Sequence, residues 1–78
     1  MTRDDLMIEF GWNLRRQLEK YSITQNELAQ ELTVSRQLIS RYINGECLPS
    51  LDKLLNIMYI IGCDLEDLVD TDEFIEED

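Results

Sequence analysis

The chain has 78 residues, 44% of them apolar, and 17 acids against seven bases give a net charge of −10. It is one domain, too apolar for wholesale disorder. It has no run near the ~18 apolar residues of a membrane helix and no signal-peptide core at its start, so a cytoplasmic location is expected. The absence of His removes the usual general base and the commonest metal ligand, and two cysteines outside any Cys-x-x-Cys pair, Cys47 and Cys63, read as reduced structural thiols.

The acidity is uneven. Residues 1–62 hold eight acids and all seven bases, whereas residues 63–78 hold nine acids and no base. A nearly neutral body with an acidic end can still carry a locally basic surface.

In chain order, the first predicted helix is capped by Thr2 with Asp5. Leu6, Phe10, Leu14, Leu18 and Tyr21 recur along it at helical spacing, as one apolar face. Ile8 and Trp12 lie off that stripe, as either a wider core face or a partner surface. Arg15, Arg16 and Lys20 read as a solvated face. The second helix opens at Thr24, whose pairing with Glu27 is the capping-box pattern, and buries Leu28, Ala29 and Leu32. Thr33 and Val34 form a turn.

Ser35 caps the third helix, whose apolar side is Leu38, Ile39, Tyr42 and Ile43. Asn44-Gly45 ends it, Gly45 supplying a left-handed residue. Pro49-Ser50 starts a fourth helix with a wide apolar face of Leu51, Leu54, Leu55, Met58 and Ile61, stopped by Gly62. Asp64 with Asp67 opens a short fifth helix carrying Leu65, Leu68 and Val69. The expected organisation is all-α: a compact five-helix domain over residues 1–69 and an acidic tail over residues 70–78, apolar only at Phe74 and Ile75.

The stretch from Thr24 to Gly45 carries the functional signal. It reads as two short helices joined by a tight turn, the second with polar side chains on one face. That is the helix-turn-helix layout, which offers its second helix to the DNA major groove. Arg36, Gln37, Ser40 and Arg41 lie opposite Ile39 and Tyr42 or flank them. An Arg can donate twice to guanine O6 and N7, and a Gln can pair with adenine N6 and N7.

Thr24-Gln25-x-Glu27-Leu28-Ala29, Val34-Ser35, Ile39-Ser40, Asn44-Gly45 and Pro49-Ser50, in this order and spacing, resemble the phage-repressor/Cro (XRE-type) helix-turn-helix family over about residues 10–69. The resemblance implies a five-helix domain that binds operator DNA as a homodimer. It implies base contacts from Arg36, Gln37 and Arg41, to which Ser40, clustered on the same surface, is added as a candidate, and phosphate contacts from Gln25, Ser35 and Asn44. Three positions depart from the family pattern: Ser22 and Thr33 stand where Gly is common, and Glu46 stands where Lys or Arg is common. A β-branched Thr33 at positive φ would be strained.

Two functions compete. The first is a transcriptional regulator, a repressor that occludes an operator on double-stranded DNA. The second is an antitoxin or other protein-interaction module, whose acidic tail suits a small basic protein partner. The tail otherwise reads as a solubility device or disordered end, or as a competitor of DNA for the basic helix. No nucleophile–base pair, metal-ligand spacing or phosphate loop points to an enzyme, and no cofactor is expected. The dimer interface is expected from Leu65, Leu68, Val69, Phe74 and Ile75.

Overall fold

The computed structural model describes residues 2–69, and the expectations placed on Phe74, Ile75 and the acidic tail lie outside them. The described chain is five helices: α1 Arg3–Lys20, α2 Gln25–Leu32, α3 Arg36–Ile43, α4 Leu51–Ile61 and α5 Leu65–Leu68. None is long and apolar enough to cross a membrane.

Side chains set the helix starts. Thr2 accepts from the Asp5 amide at 3.1 Å while Asp5 accepts from the Thr2 amide. Thr24 and Glu27 make the same reciprocal pair at 3.0 and 2.8 Å, and Ser35 accepts from the Leu38 amide at 3.2 Å. Each bond satisfies an amide that the first helical turn leaves without a partner.

The helix ends share one closure. The amides of Ile23, Val34, Glu46 and Cys63 reach back five residues to the carbonyls of Leu18, Ala29, Arg41 and Met58. Each closure turns on a left-handed residue just before the donor: Ser22, Thr33, Gly45 and Gly62, at φ 57, 61, 76 and 82°. Gly45 takes this conformation without a Cβ clash, as expected. Thr33 does adopt the positive φ that strains a branched residue, and Ser22 shares that cost.

The core joins Phe10, Leu14 and Leu18 of α1 to Leu28 and Leu32 of α2, Ile39 and Tyr42 of α3, Ile57 and Ile61 of α4, Cys63 and Leu68. α1 packs on α3 and α5, and α2 packs on α3 and α4. Phe10 meets Tyr42 edge to face with ring centres 6.3 Å apart. Gly11 lets α1 and α3 touch through their backbones. A Cβ there would sit 2.6 Å from the Tyr42 carbonyl oxygen and closer still to that of Ile43. At the other edge of α1, Asn13 Nδ2 donates to the Leu68 carbonyl at 2.9 Å and ties down α5. Gln17 is buried beside it, and its Oε1 has no partner among the described residues.

Four expectations need correction. Tyr21 is exposed, because α1 has ended and Tyr21 is its C-cap; the Lys20 ammonium lies 5.3 Å from its ring centre. On α4, Leu51 and Leu55 face solvent and the fully buried residue is Ile57. Apolar residues circle this helix, so periodicity left its phase open, and packing on α2 fixed it. Leu68 lies wholly in the core and so cannot supply the dimer surface expected of it, whereas Val69 is half-buried and Leu65 is exposed. Ile8 and Trp12 are exposed, which rules out their reading as a wider core face.

Candidate nucleic-acid interface

α3 is held from beneath. Ile39 and Tyr42, four-fifths of a turn apart, enter the core beneath it, while Arg36, Gln37 and Arg41 face out. Burial above all, with the Asp52 carboxylate adding to it, pushes the Tyr42 hydroxyl pKa up, so this anchor stays neutral. Arg36, Gln37, Ser40 and Arg41 together line one shallow concavity. The surface offers guanidinium and amide donors in a row, the chemistry that reads acceptor-rich base edges.

Gln25 and Asn44 line a second concavity, with Thr24 and Ile43. Ser35 lies in neither; it is exposed at the start of α3, with its oxygen engaged in the cap. One contact joins the two concavities. The Ser40 hydroxyl donates to Gln25 Oε1 at 2.9 Å across the α2–α3 angle. With the amide oxygen taken, Gln25 presents its NH₂ group, a donor suited to a phosphate oxygen. Ser40 is half-buried and its hydroxyl is engaged by Gln25, unlike the exposed Arg36, Gln37 and Arg41.

Electrostatics modify the surface at two points. Arg41 Nε lies 3.6 Å from Glu46 Oε1, both exposed, so the acid that follows Asn-Gly partly neutralises a predicted base contact. Arg15, read from sequence as part of a solvated face, lines the Gln25–Asn44 concavity and pairs with Glu19 at 3.3 Å. The signal that finds it is Gly11, one turn earlier on α1. A glycine that admits the α3 backbone places the residue four positions on beside the α3 terminus. Among the described residues no group of three carboxylates or thiols is gathered to hold a metal.

A family model for the Cro/C1-type HTH DNA-binding domain matches residues 13–73, which include all of this surface. No curated protein matches the chain.

Proposed function

The chain belongs to the Cro/C1-type helix-turn-helix DNA-binding family, and from that premise we propose that it is a transcriptional repressor that binds its operator as a dimer. α3 enters the major groove. Arg36, Gln37 and Arg41 read base edges, with Ser40 close behind them, while Gln25, Ser35, Asn44 and Arg15 hold the flanking phosphates. Repression follows from occlusion: two α3 helices seated in successive grooves, about 34–36 Å apart, exclude polymerase or another regulator.

The observation that carries this reading is the shared concavity of Arg36, Gln37, Ser40 and Arg41 on the outer face of a helix locked from within by Ile39 and Tyr42. Arg36, Gln37 and Arg41 are exposed, and the Ser40 hydroxyl bond holds Gln25, the proposed phosphate contact, beside them. Local charge also agrees. α3 itself carries Arg36 and Arg41 and no acid.

Selection of bound duplexes from a random pool tests the reading. The expected product is a palindrome with half-sites about one helical turn apart. A pool that gains no sequence preference would refute it, and so would capture only of a small basic protein from cell extract.

A further inference from the structure

α3 is followed by an acid where a base would serve the helix better. Asn44 caps it, Gly45 turns left-handed at φ 76°, and the Glu46 amide donates back to the Arg41 carbonyl at 2.9 Å. That closure brings Glu46 beside the last turn of α3. Its carboxylate returns to the same residue, with Oε1 3.6 Å from Arg41 Nε. A helix C-terminus carries partial negative charge, so it favours a nearby cation and disfavours a carboxylate. Both side chains are more than half exposed, and an exposed ion pair adds little to stability in water. Stability therefore does not call for an acid at this position, which borders the outer face of α3.

We propose that Glu46 is a specificity-determining residue that acts by positioning Arg41. The contact engages Nε, on the stem side of the guanidinium. The two Nη groups at its tip have no partner among the described residues. Paired donors of this kind form the fork that meets guanine O6 and N7. A guanidinium tethered at one edge has fewer orientations to lose on docking, so the fork is organised in advance for one planar pair of acceptors. The tether also keeps Arg41 from swinging onto a phosphate, which is the use a wrong sequence would make of it. The complex with the right base keeps the Arg41 contact, and the complex with a wrong one loses it. Exclusion of water by bound DNA strengthens the Arg41–Glu46 attraction where it is weak in the free chain. The same carboxylate repels the phosphates of every sequence, which lowers affinity overall without discriminating. Glu46 thus gives up binding strength and gains a larger difference between right and wrong sites. The inference rests on the reading of α3 as the base-reading helix and deepens it.

The test uses the full chain and three duplexes of equal length. One is the palindrome recovered by selection with the parent. The second is that palindrome changed at the base pair where Arg41→Ala relaxes preference, and the third has random sequence. Glu46→Gln is expected to tighten binding to the changed and random duplexes by at least about threefold, a size within reach of an exposed charge pair, and to the palindrome by less. Preference for the matched base pair falls accordingly. In the Arg41→Ala background, Glu46→Gln is expected to shift all three affinities by one common factor, since only repulsion of the backbone is then left to relieve. The urea midpoint of Glu46→Gln is expected to match the parent's. A preference that Glu46→Gln leaves intact overturns the proposal. So does one that relaxes equally without Arg41, because the carboxylate would then be reading a base itself. An Arg41→Ala chain that relaxes no position overturns it too, as does a lowered urea midpoint for Glu46→Gln, which would make the residue structural. A parent with no sequence preference sinks the operator reading and this inference together. A parent that selects a palindrome and discriminates as well in the Glu46→Gln form sinks the inference alone.

Discussion

α3 and α4 each sink one face into the same core and show solvent opposite chemistry. Under α3 lie Ile39 and Tyr42, and under α4 lie Ile57 and Ile61, all buried. Outside, α3 presents Arg36, Gln37 and Arg41, while α4 presents Leu51, Leu55 and Tyr59. The inner faces answer to folding, where volume and shape decide. The outer faces are free of that demand, so their composition reports what each helix meets. Donors in a row fit a polyanion with readable edges, and a charge-free stripe fits another apolar surface.

The strongest way to break the comparison is to exchange what the two faces are supposed to do. Ile39→Ala should cost ~2–5 kcal/mol, as should Ile57→Ala, because each leaves a cavity in a closed core. Leu55→Ala, measured at concentrations where the chain is monomeric, should change stability by less than about 0.5 kcal/mol. Urea midpoints read all three. If Ile57→Ala leaves the midpoint in place while Leu55→Ala moves it, the phase of α4 is the one first read from sequence, and the contrast disappears.

The outer face of α3 is tested next. Arg36→Ala and Gln37→Ala should each weaken operator binding by roughly 1–3 kcal/mol and relax preference at one base pair. Their urea midpoints should stay at the parental value. Anisotropy with matched and mismatched duplexes reads the first effect. Equal losses on every sequence would reassign these side chains to phosphates.

That test also bounds what the sequence alone reveals. α3 was readable because Ser35 and Gly45 bracket it and its polar and apolar residues separate cleanly onto two sides. α4 was not, since Leu, Ile, Met and Tyr occupy nearly every direction and only contact with α2 selects one. Tyr21 fitted a helical stripe, but the helix stops before it. The Ser40–Gln25 bond joins residues 15 positions apart, and no local pattern announces it. Arg15 looked like any solvated base until the Gly11 approach turned its side of α1 toward the end of α3.

The turns sharpen the comparison on a smaller scale. α4 ends on Gly62 and α2, leading into α3, ends on Thr33 in the same left-handed conformation. A non-glycine residue there costs ~1–2 kcal/mol, and glycine gives back part of that gain through the freedom of the unfolded chain. Thr33→Gly is therefore expected to raise stability by about 0.5–1 kcal/mol without altering DNA preference. A lower melting temperature would show that the Thr33 side chain contributes more in the turn than its backbone strain removes.

Smallest of all is the effect at the end of α3. Glu46→Gln releases Arg41 from an exposed ion pair worth less than about 1 kcal/mol. Operator affinity should rise modestly at low salt, and the gain should fade as screening shortens electrostatic reach to about 8 Å at physiological ionic strength. A salt titration of parent and variant reads this, and parallel curves with no offset would mean that Arg41 is not held back by Glu46.

The caps at Thr2, Thr24 and Ser35 also bear on the rate of folding. Each closes its bond within three residues, so the starts of α1, α2 and α3 can assemble from neighbours before any distant part of the chain arrives. Helical domains built on such short-range contacts cross their barriers in microseconds to milliseconds. A newly made or transiently unfolded copy therefore exposes Leu55 and its core residues together only briefly, which limits the time in which its apolar segments can find the wrong neighbour.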